Sequence, residues 1–90
     1  MSKLLDEAIS DAIYIATNSK LPEIIEAKKV WVGILKIARL HDGSPCDVQF
    51  KITLDRGSDE AWRYVEHDRN IPKNRLSIIG ETSPRIEVIE

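Results

Sequence analysis

One cysteine in 90 residues, Cys46, is all the chain offers to thiol chemistry. It can close no internal disulfide and has no second Cys with which to build a metal site. The four glycines, Gly33, Gly43, Gly57 and Gly80, are isolated from one another, so there is no glycine-rich phosphate loop. Aromatic residues make up 6 % of the chain, too few for an aromatic-rich RNA-recognition consensus. No apolar run approaches the roughly 20 residues that span a bilayer as a helix, and the N-terminus lacks the basic-then-apolar plan of a signal peptide. These absences lead to the expectation of a reducing intracellular compartment, the cytoplasm, with no membrane partner. A one-signed charge is missing too. The net charge of −2 comes from 13 basic and 15 acidic residues, and residues 1–27 hold two Lys against five acids. Such a chain does not attract a polyanion as a whole, so nucleic-acid binding would need a local basic patch.

What is present is the composition of an ordinary soluble domain, 42 % hydrophobic and 31 % charged. Ninety residues give one globular domain, 1–90, with no room for a second core. Its organising stretch runs from Lys29 to Asp55 and reads as a long β-hairpin. The arm from Cys46 to Asp55 alternates apolar and polar without a break, the period of a strand with one face on a core and the other in water. The arm from Val30 to Leu40 is apolar on both faces at its start, as in a more central strand. Between them His41-Asp42-Gly43-Ser44-Pro45 reverses the chain, with Asp-Gly supplying the turn and Pro45 resisting the ladder.

Leu4, Leu5, Ala8, Ile9, Ala12, Ile13 and Ala16 form one stripe of a helix from Lys3 to Thr17, with Ser2 as its N-cap. Pro22 and Glu23 suit the start of a short second helix, the alternative being a strand from Glu23 to Ala27 that runs into Val30. After the hairpin, Ser58 as N-cap, the acids Asp59 and Glu60, and the stripe Ala61, Trp62 and Val65 predict a helix over 58–69. Asn70 ends it, and Ile71–Asn74 is the expected connecting loop, since Pro72 biases Ile71 away from helix. Leu76–Ile79 and Arg85–Glu90 then read as two strands of a second hairpin, 75–90, around the turn Gly80–Pro84. The expected fold is α+β and two-layered: a four-stranded antiparallel sheet of two hairpins, with the N-terminal helix and the 58–69 helix packed on it.

Few residues invite catalysis. His41, Asp42 and Cys46 have the types a thiol nucleophile needs, a base and a group to orient it. They sit at a hairpin tip with no wall to exclude water, and Cys46 falls in the apolar phase of its strand. His67, placed near a helix C-terminus, is accounted for by the helix dipole. The reading is of a non-enzyme without metal or cofactor.

The outer face of the long hairpin carries more. Gln49, Lys51 and Thr53 point outward on one arm, and Lys36 and Arg39 supply charge from the other. Trp31, Leu35 and Ile37, in the outward phase, add an aromatic and two aliphatics. The candidate binding residues are therefore Trp31, Leu35, Lys36, Arg39, Gln49, Lys51 and Thr53. They fit a small protein-interaction module, an inhibitor, adaptor or accessory subunit, that binds another protein or forms a homodimer through its sheet face or edge. The alternative is single-stranded nucleic acid stacked on the same face.

Val30, Val32 and Gly33, then Phe50, then Glu60, Ala61 and Val65, then Arg75, Ser77 and Ile78, form a pattern that resembles small archaeal ribosomal proteins of strand–strand–helix–strand plan. That resemblance implies binding to ribosomal RNA and covers the last two-thirds of the chain. The net acidity and the acidic first helix depart from that family, and no family is adopted.

Overall fold

The computed structural model describes residues 3–69 and 76–90. Its elements in chain order are α1 (Lys3–Thr17), α2 (Pro22–Ile25), β1 (Lys29–Leu40), β2 (Val48–Arg56), β3 (Trp62–Arg69), β4 (Leu76–Glu81) and β5 (Arg85–Val88). The α+β class and the antiparallel sheet are as the sequence pattern implies. β1 and β2 pair from Lys29 with Asp55 to Lys36 with Val48. The tip is the Asp-Gly turn, where Gly43 takes φ 93°, a left-handed conformation that suits glycine.

One face of this ribbon is the core. Val30, Val32, Ile34 and Ala38 from β1, and Val48, Phe50, Ile52 and Leu54 from β2, are at most 1 % exposed. Each of the larger side chains contributes about 1.5–3 kcal/mol by leaving water. Helix α1 lies across β1, β2 and β3 on this face, and its buried seam is Ala8, Ala12 and Ala16. Alanines four apart let the helix backbone come close to the sheet, while Leu4, Leu5, Ile9 and Ile13 fill in beside the seam. The helix ends where Asn18 turns back, its backbone N–H and its side-chain amide both donating to the Tyr14 carbonyl (3.0 and 2.9 Å). Pro22 opens α2 at the helix start, as its fixed φ favours.

Two expectations are corrected. The segment 58–69 is not a helix: from Trp62 onward it is strand β3, antiparallel to β2 from Arg56–Trp62 to Phe50–Arg69. The Asp59 carboxylate accepts the Ala61 N–H (3.3 Å), two residues on, and so closes a tight turn rather than starting a helix. Glu60, at φ 63°, completes that reversal. Pairing with β3 satisfies the backbone groups on the second edge of β2, which a helix would leave without partners. Nor do β4 and β5 form a hairpin with each other. Both run antiparallel to β1, β4 against Lys36–Leu40 and β5 against Val30–Gly33. They are successive pieces of one edge, joined where the Thr82 N–H donates to the Leu35 carbonyl (3.1 Å). A twelve-residue β1 offers an edge long enough for both, and a 75–90 hairpin would have left part of it bare. The lateral order is β3-β2-β1-β4, with β5 also on β1. Ser2, Asn70, the expected loop 71–74 and Arg75 lie outside the described residues.

Candidate interaction surface

Because side chains alternate along a strand, the register defines the face opposite α1 row by row. Trp31 pairs with Thr53, Gly33 with Lys51 and Leu35 with Gln49. β3 extends two of these rows, with Glu66 beside Thr53 and Asp68 beside Lys51. β5 extends them on the other side, with Glu87 beside Trp31 and Arg85 beside Gly33. Ile37, opposite Gly80, and Arg39, opposite Ser77, continue the β1 column toward the tip. Among the described elements, α1 packs on the other face, and none lies over this one.

The centre of the face is apolar. Trp31, Leu35 and Ile37 are half-buried along β1, and the indole of Trp31 leans over Gly33, where a side chain would meet its Cζ3 at 3.1 Å. The Lys51 ammonium sits 4.8 Å from the Trp31 ring centroid, a cation–π contact. Trp31, Gly33, Gln49, Lys51 and Asp68 line a shallow depression of about 370 Å³. Charges of both signs stand around the stripe: Arg39, Lys51 and Arg85 against Glu66, Asp68 and Glu87. All six are exposed.

Six of the seven candidate residues share this face. Trp31 and Leu35 are in its central column, Gln49 and Lys51 are exposed beside them, and Arg39 is exposed near the tip, where it donates to the Gly43 carbonyl (3.0 Å). Thr53 belongs to the outward phase but is only 8 % exposed. It lies between Trp31 and Glu66 in register, so it contributes support rather than open surface. Lys36 is the exception. It points to the α1 side, is 4 % exposed, and its ammonium meets Glu81 at 3.2 Å and Asp11 at 3.6 Å. Its even position puts it in phase with Val32 and Ile34, and burying its long stem requires those carboxylates at its end.

The rim residues Glu66, Asp68, Arg85 and Glu87 were not among the candidate binding residues. Their signal was the spacing of two in Glu66/Asp68 and Arg85/Glu87, which places each pair on one side of a strand.

The residues considered for catalysis stay apart from this surface. His41 and Asp42 are exposed at the hairpin tip, and the Cys46 N–H is tied to the Ala38 carbonyl (2.9 Å). The Asp42 carboxyl is held below its ordinary pKa by hydrogen bonds from Ser44, the backbone N–H first. His67, with no helix dipole to serve, hydrogen-bonds through Nδ1 to the Tyr64 hydroxyl across the β3 irregularity. Among the described residues, no group of three or more His, Cys, Asp or Glu is placed to hold a metal ion, and no helix is long and apolar enough to cross a membrane.

No protein-family model matches the chain, and comparison with the curated proteins and with the solved structures finds no match. Function is therefore read from the surface itself.

Proposed function

We propose that this chain is a small protein-interaction module that docks a protein partner on the sheet face opposite α1. One observation carries the reading: the face has an apolar central column, Trp31, Leu35 and Ile37, inside a rim of exposed charges of both signs. An apolar centre with a polar rim is how protein interfaces are arranged, and Trp is among the residues that dominate their energetics. The same rim disfavours the nucleic-acid alternative. Glu66, Asp68 and Glu87 stand among the basic residues and repel phosphates, and Trp31 already lies along Gly33 beneath the Lys51 ammonium, which limits the ring surface left for a base.

The test is capture by tagged protein from lysate of the source cells, with and without nuclease, comparing wild type with Trp31→Ala. A stoichiometric protein that survives nuclease and is lost with Trp31→Ala, while the variant keeps its fold by circular dichroism, is the expected result. The untagged chain itself counts as such a protein. Bound material that disappears with nuclease would replace this reading with nucleic-acid binding. Loss of folding in Trp31→Ala without loss of the partner from the folded fraction would make Trp31 a core residue instead.

A further inference from the structure

The apolar column of the outer face is one strand wide, and that width selects the shape of its partner. Trp31, Leu35 and Ile37 all belong to β1. On one side, β2 sets Thr53 beside Trp31, Lys51 beside Gly33 and Gln49 beside Leu35. On the other, β5 sets Glu87 beside Trp31 and Arg85 beside Gly33, and Thr82 comes next, its N–H on the Leu35 carbonyl. Neighbouring strands are about 4.8 Å apart, so the two polar columns run roughly 10 Å from each other with the apolar one between them. A facing sheet, from a second copy or from another protein, would lay strands over those polar columns. Lys51, Arg85 and Glu87 would then lose their hydration in a layer of interdigitated side chains. An α-helix, about 10 Å across with its side chains, meets the one apolar column and leaves the flanking charges in reach of water on either side.

Length and charge agree with that shape. From Trp31 to Ile37 the column runs roughly 20 Å, the length of about 14 helical residues. At its Trp31 end stand two acids, Glu87 next to Trp31 and Glu66 one strand beyond it, past Thr53. Lys51 and Arg85 flank the Gly33 row from both sides, with Asp68 one strand farther out, and Arg39 closes the column at the tip. Arg85 also pairs with Glu87 at 3.8 Å, but their side chains are 76 % and 52 % exposed, so the pair binds neither group strongly. Acids at one end and a base at the other match the dipole of a helix whose N-terminus lies over Glu66 and Glu87 and whose C-terminus lies near Arg39. The two bases between those ends suit carboxylates on both flanks of that helix. Among the described elements, none offers such a helix to a second copy. The apolar stripe of α1 is spent in the core of its own domain, and α2 has four residues.

We infer that the partner of this face is an amphipathic helix of another protein, acidic on both flanks of its apolar stripe, lying along β1 with its N-terminus at the Trp31 end. This rests on the docking reading above and adds the class and direction of the partner. Arg85 is exposed and its ion pair is with the exposed Glu87, so Arg85→Glu leaves folding intact while reversing the charge of one flank.

The experiment is selection on the purified full chain from a displayed library of random peptides about 14 residues long, the span of the column. Enriched sequences are expected to repeat apolar residues at spacings of three and four, with Asp or Glu beside them. Made as free peptides, they should gain helix by circular dichroism on mixing with the chain and lose binding with Trp31→Ala. They should bind Arg85→Glu roughly tenfold or more weakly than wild type. Exchanging their flanking acids for Lys, one at a time, should give a peptide that prefers Arg85→Glu to wild type. A spin label on the first residue of the peptide should broaden the Trp31 and Glu87 amides in NMR spectra more than that of Arg39. Apolar residues enriched with a period of two would mean a strand-like ligand and overturn the proposal. So would a library without binders, binding indifferent to Arg85→Glu, or a label that broadens Arg39 first. The docking reading is judged separately: a protein captured from lysate by wild type and lost with Trp31→Ala preserves it even when helical peptides are rejected.

Discussion

Lys36 of β1 places its ammonium 3.2 Å from Glu81 of β4 and 3.6 Å from Asp11 of α1, joining three elements through one buried cation. The balance is unequal, because the lysine side chain is 5 % exposed while the carboxylates are 43 % and 42 % exposed. Water therefore stabilises both acids whether or not the lysine is present, whereas the lysine has little besides the acids. Lys36→Met, which keeps the volume and removes the buried charge, should change the unfolding free energy by less than about 1 kcal/mol. The double variant Asp11→Asn, Glu81→Gln, which leaves the ammonium buried without countercharge, should cost about 1–3 kcal/mol, between the scales of exposed and fully buried pairs because its partners are solvated. Urea unfolding of the three proteins measures both. A larger loss for Lys36→Met than for the double variant would mean that the ion pairs themselves hold α1 on the sheet.

At the hairpin tip, the Ser44 N–H donates to the Asp42 carboxylate at 2.9 Å. This bond, then the Ser44 hydroxyl, lowers the Asp42 pKa in the folded chain. A depressed folded pKa means that the ionised carboxylate favours the fold. That contribution is complete above the ordinary Asp value and is lost as pH falls through the depressed one. Side-chain titration by NMR should find Asp42 protonating below an unperturbed Asp. In Ser44→Ala the shift should shrink but persist, because the main-chain donor remains. An Asp42 that titrates like a free aspartate would remove the hydrogen bond from the solution structure.

These two residues also mark what the sequence could and could not disclose. The Asp-Gly turn and the alternation from Cys46 to Asp55 are local signals, and the hairpin they imply is present. So is the stripe from Leu4 to Ala16, because one helical face of alanines and aliphatics has a single period. Trp62–Arg69 has two. Ala61, Trp62 and Val65 fit a helix, while Trp62 and Tyr64, two apart, fit a strand. The choice is made by β2, whose second edge needs backbone partners, and that need is not written in residues 62–69. The pairing of β4 and β5 with β1 is likewise a long-range matter, set by the length of β1. For the surface, period-two phase was enough to place Trp31, Leu35, Gln49 and Lys51 together. It was also enough to place Lys36 inward, but a lysine read by its charge alone is assigned to solvent. Only Asp11 and Glu81, remote in sequence, make its burial tolerable.

Glycine positions distinguish a packed contact from a movable one. At Gly33 a Cβ would meet Trp31 Cζ3 at 3.1 Å. Alanine in a strand ordinarily gains about 0.5–1 kcal/mol over glycine, but here the indole must give way by a few tenths of an ångström, which loosens its contact with the Lys51 ammonium. The two effects offset each other, so Gly33→Ala should change stability by less than about 1 kcal/mol while exposing Trp31. Collisional quenching of Trp31 emission in a Trp62→Phe background should rise. At Gly57 the added atom would fall 1.6 Å from the Arg63 guanidinium, the far end of an exposed side chain. Arg63 can move, giving up its 2.7 Å pair with Asp59. An exposed pair of this kind contributes at most about 1 kcal/mol, so Gly57→Ala should be close to neutral and leave Trp31 quenching unchanged. Equal quenching in both variants would mean that Trp31 does not rest on Gly33.

Arg56, at the end of β2, donates to the Ile25 carbonyl at 2.7 Å and the Ile24 carbonyl at 3.2 Å, and its guanidinium lies 4.3 Å from the Trp62 ring centroid. One planar group thus holds the C-terminal turn of α2 against the start of β3. Arg56→Ala should cost about 2 kcal/mol, the scale of a charged hydrogen bond plus a partly buried cation–π contact. Arg56→Lys should recover less than half of that, since a point charge lacks the fork that reaches two carbonyls while covering a ring. The loss should also be local. Hydrogen exchange of the Glu26 and Ala27 amides, which close the α2 turn on Pro22 and Ile24, should accelerate more than that of the β1–β2 ladder. If the ladder amides accelerate equally, Arg56 supports the whole sheet and α2 is not a separately opening unit.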